Sequence, residues 1–513
     1  MKKIIFFLFV LSTLVSCKQF FGGNDLQYMP FRESEKSKWG LIGTDGKVLC
    51  TDEFDSQPTV VMNDRFFAKN KDGKWELFSA EENPKQIGRK AYDMAGAFKD
   101  DVAPVSVKGK PIQFIDKDGN VKFDLDRVDG KKVEAVTNFT DGVAIFSAEG
   151  GVGLFDNKGK VIVNPEYLFI KDAGDGKYLA IEKKYKDAKD PEDVNITILS
   201  KHGNVLGEIE GRKYSNLLPC FSGDNLCVEK RTSGDNHRWG VIDVKGNEVL
   251  PMINKMDNVT EFLGKKFIFE KDDQYGLMNV DGDIIIRSKY KNLTFSGADG
   301  LLFAADDDNN VKLINEDDEQ VSKDSYINAL SFHGSYAAVQ ESKDNWIFIN
   351  KKGENQKVNT DIYDISDSNF GDEIIERDDQ STGLDFSSLF DNEDLDSTEI
   401  ADADSVAVDT MSVTDYDSDY GKSTMQSSTY NMTGYVDKYP ITMYITFDGN
   451  DATGWYYYNK YKSKMTFTGT LDGSSLDLYC DGGDTFTGTF VDGAYSGHFS
   501  GGNGTEFSFN VSQ

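Results

Sequence analysis

Trp239-Gly240-Val241-Ile242-Asp243, followed by Lys245-Gly246-Asn247, is the stretch that decides the fold. Apolar and polar residues alternate, then a Lys-Gly pair reverses the chain, which is the pattern of a β-hairpin. The phrase returns along the sequence. Trp39-Gly40-Leu41-Ile42 leads to Asp45-Gly46-Lys47-Val48, and Val152-Gly153-Leu154-Phe155-Asp156 leads to Lys158-Gly159-Lys160-Val161. Tyr275-Gly276-Leu277-Met278 leads to Asp281-Gly282-Asp283-Ile284, and weaker copies start at Trp75, Ile112, Ile196, Val311 and Trp346. The nine starts are 35 to 44 residues apart, and in seven of them a glycine stands seven residues after the start. Those are Gly46, Gly119, Gly159, Gly203, Gly246, Gly282 and Gly353; Glu82 and Asp318 hold the place in the other two. A tight hairpin turn needs φ > 0 there, which glycine adopts without steric penalty.

A further apolar run precedes each start, as in Phe66-Phe67-Ala68 and Leu301-Leu302-Phe303-Ala304. Three to four short strands per repeat is the content of one β-propeller blade or one solenoid rung. The stretch 28–376 resembles the bacterial WG-repeat (KWG) family, on the Trp-Gly-φ-Ile-Asp…Gly-Lys pattern seen at Trp39, Trp239 and the Tyr275 variant. The resemblance implies an interaction scaffold and carries over no catalytic residue. The tryptophans read as core anchors between neighbouring units. Asp361 to Glu376 carries Ile362, Ile365, Phe370, Ile374 and Ile375, enough for a strand that closes a ring beside Tyr28–Phe31.

Residues 377–427 change character: 14 of 51 are acidic, 2 are basic and 14 are Ser or Thr. Such a segment buries too little apolar surface to fold, so it reads as a disordered acidic linker. The run Asp402 to Asp409 lacks the glycine and spacing of a calcium loop. Beyond it, 428–513 alternates cleanly in eight runs. Ile441, Met443, Ile445 and Phe447 share one face, as do Leu476, Leu478 and Cys480, then Phe486 and Phe490, then Phe507, Phe509 and Val511. Gly434, Gly454, Gly469, Gly488 and Gly497 fall on that same face, where they let a sheet bend. This predicts a small eight-stranded antiparallel barrel that looks like the calycin type in architecture. Period two turns Tyr456 and Tyr458 inward, and Trp455 and Tyr457 outward beside Tyr444. Those three outward aromatics are the candidate binding residues, for a glycan or for a protein surface.

The N-terminus is an address. Lys2 and Lys3 precede the apolar run Ile4 to Leu14, whose 11 residues are too few to span a bilayer. Leu14-Val15-Ser16-Cys17 resembles the bacterial lipobox, which implies a signal peptide over 1–16, acylation of Cys17 and a lipidated tether over 17–27. An outer-membrane anchor, on either its periplasmic or its outer side, follows from that resemblance.

Of 513 residues, 87 are acidic and 56 basic, a net charge of −31, which argues against nucleic acid as a partner. The four histidines and five cysteines show no zinc spacing, and no Ser-His-Asp order or phosphate loop occurs, so no cofactor or metal is expected. Asp116-Lys117-Asp118-Gly119-Asn120 partly matches a calcium loop but fits hairpin turn chemistry better. Cys220 and Cys227 stand close enough along the chain for a hairpin disulfide, a pairing that sequence leaves open. The sequence therefore reads as an all-β, lipid-anchored envelope protein: a propeller-like array of about nine repeats, an acidic linker and a small barrel. Its function reads as binding or scaffolding, and the partner is the membrane through Cys17 plus a protein or glycan. The alternatives are a carboxylate-dependent glycan hydrolase, or a periplasmic carrier holding a small apolar ligand in the barrel.

Overall fold

The computed structural model describes residues 26–377 and 428–512. Excepted are 100, 189, 233–236 and 255 in the first span, and 437–438, 449–450, 459–464, 473, 481–483, 492–493 and 502–505 in the second. The expected signal peptide, Cys17, the expected tether up to residue 25 and the expected acidic linker from residue 378 lie outside the described residues; Leu26 and Gln27, read above as tether, open the strand Leu26–Arg32 and belong to the first unit. The chain divides into two compact units, 1–390 and 391–513. Among the described residues there is no α-helix, only strands and two short 3-10 turns.

The first unit repeats one four-stranded motif. Asn258–Leu263, Lys266–Lys271, Gln274–Asn279 and Ile284–Tyr290 pair antiparallel in chain order. Each of the nine repeat starts opens, or lies one residue inside, the third strand of such a unit. The hairpin after it is closed by the residue seven positions on: Gly282 has φ 91°, and Asp318, where glycine is missing, still adopts φ 66°. The turn is locked by the residue four after the start. The Asn279 side-chain oxygen accepts from the backbone N–H of Asp281 at 3.0 Å and of Asp283 at 2.8 Å. Asp116, Asp156, Asp243 and Asn350 do the same in their blades. The carboxylate of Asp116, read above as part of a turn, is thus spent on the N–H groups of Asp118 and Asn120.

No blade buries both of its faces alone, so the blades pack against one another. Among the described residues, nine apolar clusters sit between successive blades. Trp75 lies in the seam between the second and third blades, with Phe67, Leu77 and Phe98. Trp239 lies between the sixth and seventh, with Phe267 and Phe269. Each fully buried aromatic or aliphatic side chain contributes about 1.5–3 kcal/mol. Trp75, Trp239 and Trp346 are core anchors, as their repeat position predicts, while Trp39 is only partly buried against its seam. First strands of neighbouring blades also bond directly, Phe221 N–H to the Ala173 carbonyl at 2.6 Å and Phe332 N–H to that of Ser296 at 2.7 Å. Those bonds mark the narrow, axial side of the ring. Some blades merge: Val161–Asp172 ends the fourth and begins the fifth, and Leu26 pairs with Met62 between the first and second.

The ring closes. Ala338, Trp346 and Phe348 of the ninth blade pack on Met29, Phe31 and Ile42 of the first. The first blade has three N-terminal strands, Leu26–Arg32, Trp39–Gly43 and Val48–Phe54, and takes its fourth from Asp364–Ile365, with Phe31 opposite Ile365. The expected closing strand is therefore present. The chain then continues as a strap along the axial edges of three more blades. Val60 N–H donates to Asn369 at 2.7 Å, Asp372 N–H to Ala95 at 2.8 Å, and Ile374–Glu376 pairs with Lys131–Thr137 of the fourth blade. Arg377 ends it on Asp126, at 2.7 Å. Tyr363-Asp364-Ile365 repeats Tyr92-Asp93-Met94, so the strap is the opening of a tenth repeat that completes the first blade.

Cys227 is a free thiol buried between the sixth and seventh blades, so the Cys220–Cys227 disulfide does not form. The register slips between Leu217 and Phe221, which puts Cys220 in a bulge instead of squarely opposite Cys227.

The second unit is a closed barrel of eight antiparallel strands, each paired with the next, and Ser428–Val436 paired with Glu506–Ser512 to seal it. The interior is filled. Phe486, Phe499, Phe509, Tyr456 and Tyr495 meet ring to ring at 4.6–4.9 Å in four of their pairings. The predicted glycines do lie at crowded points, for a reason of space. A Cβ on Gly454 would stand 1.9 Å from the Tyr444 carbonyl oxygen of the next strand.

Candidate functional site: an aromatic platform on the barrel wall

The strand Asp451–Tyr458 alternates, and that alternation builds the site. Ala452 and Tyr456 are buried inside and Tyr458 packs partly against them. The Tyr456 hydroxyl donates to the carboxylate of Asp484. Burial first, and then Asp484, push that hydroxyl far above the ordinary phenol range, so it remains a neutral donor. Burial likewise pushes Tyr458 up to about 12. With Tyr456 fixed inside, its neighbours Trp455 and Tyr457 must face out.

They do, and Tyr444 joins them from the adjacent strand. Tyr444 stands directly opposite Trp455 in the register. Their rings are parallel within 5°, with centroids 5.3 Å apart. Trp455 and Tyr457 are parallel within 9° at 5.6 Å. All three are half-buried, and together they form one uninterrupted aromatic surface. Parallel offset rings are a favourable arrangement for aromatic quadrupoles. Hydroxyl side chains frame them: Thr442 opposite Tyr457, Thr466 opposite Trp455, and the pair Thr453–Thr468 one step along. Tyr479, 58% exposed, stands beside Thr468. The threonine frame was not picked out from the sequence, although the same period-two count would have found it.

Charge is sparse within the barrel's strands. Residues 428–513 hold nine acidic and four basic residues. Twelve of these thirteen fall between strands or at a strand's terminal residue, and Asp477 alone lies inside one. The first unit differs: its outermost strands expose Asp52 and Glu53, or Lys122 and Asp124.

Three carboxylates of the first unit, Asp372, Asp367 and Asp172, have structural partners. Asp372 accepts from the Trp75 indole N–H at 2.9 Å and from Ala95 N–H at 2.8 Å. Asp367 pairs with His333 at 3.0 Å. Asp172 accepts from Gly174 N–H at 2.9 Å, and burial raises its carboxyl. Cys17, the expected lipid attachment, lies outside the described residues.

No family model matches the chain, and no curated protein does. Among solved structures it is similar to the eukaryotic initiation factor, at 10% identity and a TM-score of 0.43, over 67% of this chain and 98% of that one. It is also similar to the C-terminal WD40 domain of Sif2, at 11% identity and a TM-score of 0.28, over 62% and 95%. Kluyveromyces lactis Hsv2 matches at 12% identity and a TM-score of 0.29, over 68% and 98%. The fold assignment rests on the strand order and the nine seams described above. The protein is a nine-bladed propeller followed by a closed eight-stranded barrel.

Proposed function

We propose that this chain is a lipid-anchored scaffold of the bacterial cell envelope, built on WG-type repeats. The observation that carries the binding role is the aromatic platform Tyr444–Trp455–Tyr457. It is a contiguous set of half-buried aromatic rings on the outer face of a unit whose interior is already filled with its own side chains. Contiguous surface aromatics of this kind mark contact sites more often than scattered single residues do. A scaffolding role is supported by Trp75, Trp239 and Trp346 being committed to seams, and by Asp172, Asp372 and Asp367 being committed to backbone, indole and imidazole partners. A hydrolase would need a free carboxylate pair, and a carrier would need an open lumen; neither reading has comparable support.

The anchoring part of the proposal rests on Leu14–Cys17 and on the apolar run before it. Two or more acyl chains on Cys17 would hold the protein on a membrane stably, where one holds it marginally. Replacing Cys17 with Ser and fractionating the cells tests it. The variant should leave the membrane fraction; full retention there would sink the anchor. For the binding role, Trp455→Ala and Tyr457→Ala chains should lose a ligand that the wild-type chain holds, with both units still folded.

A further inference from the structure

We infer that the seventh blade binds an extended acidic peptide along the axial edge of its first strand, with one carboxylate of that peptide accepting from the Trp239 indole. The site is on the ring, so it stands apart from the barrel wall and from the anchor.

The strap shows how such an edge is used. In the seam between the second and third blades, Asp372 accepts from the Trp75 indole N–H at 2.9 Å and from Ala95 N–H at 2.8 Å. Its own N–H donates to the Ala95 carbonyl at 2.8 Å. The seam between the sixth and seventh blades repeats that one position by position. Trp239, Met256, Val259 and Phe262 stand where Trp75, Tyr92, Ala95 and Phe98 stand in the other. Val259 lies opposite Phe269 of the second strand, as Ala95 lies opposite Val105. The acceptor is what differs. Val259 N–H is taken by the side chain of the residue before it, Asn258, at 2.9 Å. The Trp239 indole N–H has no partner, although the residue is only 1% exposed, and the Thr260 hydroxyl beside Val259 is likewise buried and unpaired. Buried polar groups are nearly always satisfied, so two orphans in one seam mark a place where an acceptor belongs.

The distribution of tryptophan agrees. Four repeats open with it, at Trp39, Trp75, Trp239 and Trp346. Trp346 packs with Ile362 and Ile365 of the closing segment, Trp39 shares the Arg32 guanidinium with Tyr363, and Trp75 bonds Asp372. Trp239 alone of the four stands at a seam that the strap, which is described as far as Arg377, does not reach. Asn216 and Asn328 make the same local bond in the sixth and ninth blades, at 2.8 and 2.9 Å. The repeats before those blades open with Ile196 and Val311, so no indole needs an acceptor there.

An incoming strand would displace the Asn258 amide and pair with the edge, as Ile374–Glu376 pairs with the fourth blade. One carboxylate could then serve both Val259 N–H and the indole, where Asn258 serves only the first. The ligand must bring its own main-chain donors and acceptors, which selects a peptide. The nearest rim suits an acidic one. Lys230 and Arg238 are exposed and meet just before Trp239, and neither is in an ion pair among the described residues.

The test is fluorescence anisotropy of a labelled peptide with the strap's own sequence, Ser368 to Arg377, titrated with the full chain at physiological salt. The peptide should bind in trans, because the strap in cis does not cover the seventh blade. The Asp372→Ala peptide should bind at least about tenfold more weakly. Trp239→Phe keeps an aromatic ring in the seam but removes the N–H, and should weaken binding by a similar factor. Asn258→Ala removes the competing acceptor and should tighten it about threefold or more. Trp75→Phe should not weaken it. The inference is overturned if the peptide does not bind, if its Asp372→Ala form binds as well, or if Asn258→Ala fails to tighten binding. It is also overturned if Trp75→Phe weakens binding as much as Trp239→Phe does, since the peptide would then be exchanging with the chain's own strap. The peptide variant and Asn258→Ala leave the apolar seam intact, so they decide the matter even if Trp239→Phe does not fold. Failure here leaves the barrel platform untouched, because Trp455 takes no part in any of these measurements.

Discussion

The two units close in opposite ways. The barrel seals itself with main-chain hydrogen bonds, Ser428–Val436 against Glu506–Ser512, and keeps its apolar side chains inside one lumen. The ring seals itself mainly with side chains, through nine separate seams, and its main-chain closure is only two residues, Phe31 with Ile365 and Arg32 with Asp364. The difference teaches where each can tolerate a surface function. A barrel wall is half of every strand, so its outer face can be specialised without disturbing the core. A blade in the ring packs on both faces, so only its rim strand and turns are free, and those carry charge.

The largest break in this comparison should come from the closing segment. Deleting 361–376 removes the buried Ile362, Ile365 and Ile375 and bares the edge of Leu26–Arg32. At about 1.5–3 kcal/mol per buried side chain, the ring should lose about 5 kcal/mol or more. The barrel, followed by its own unfolding transition, should not move. An unchanged ring transition would mean that the array holds as an open rod.

Within the barrel the contrast is between faces. Tyr456→Ala should cost about 3–5 kcal/mol, because it empties the centre of the lumen and removes the hydroxyl that donates to Asp484. Trp455→Ala should cost less than about 1 kcal/mol. Chemical denaturation of the two variants checks this, and a reversed order would invert the facing and remove the platform.

A smaller effect separates the strap from the closing strand. Asp372→Ala leaves the Trp75 indole N–H and Ala95 N–H without their shared acceptor. Unpaired buried donors cost about 1–3 kcal/mol, so the ring's midpoint should fall by that amount, and Asp372→Asn should recover part of it. No loss in Asp372→Ala would show that the strap contributes nothing beyond Ile365.

The smallest effect is a gain, and it depends on pH. Burial lowers the Lys171 amine in the ring from 10.5 to about 8. Between those values the unfolded chain binds the proton more tightly, so the ring gains stability as pH rises through that window. Below pH 8 it bears the full penalty. Lys171→Met should therefore stabilise the ring at pH 7, on the order of 1–2 kcal/mol for a half-buried group. That advantage should fade between pH 8 and 10.5. Thermal melts across this range, with the barrel as internal reference, decide it; a difference flat with pH would refute the cause.

What was legible in the sequence follows from the range of each interaction. The nine hairpins and their turn glycines could be read because each turn is settled within a few residues. Trp455 and Tyr457 could be faced correctly because alternation is local, and Tyr444 could be placed beside them because one short turn joins the strands. The Asp or Asn four residues after most starts was visible as part of the repeat, but its turn-locking bonds were not. Asp372 could not be matched with Trp75, because 297 residues separate them and only ring closure brings them together. Whether Cys220 and Cys227 pair was left open by the sequence for a related reason. A bulge depends on packing between blades, and spacing along the chain does not encode it.

The closing strand also sets the order of events in folding. Arg32 bonds to Asp364, 332 positions further along the chain, so blade one waits for nearly the last part of its unit to arrive. The entropy of so long a loop grows only slowly with length, by about 0.6 kcal/mol per doubling, so the finished ring is hardly penalised. The rate is another matter, because non-local strand pairing is slow and leaves edges bare meanwhile. Until residue 365 emerges, Leu26–Arg32 has an unpaired edge that another chain could occupy. A chain of this design is therefore most open to pairing with its neighbours before the ring is shut.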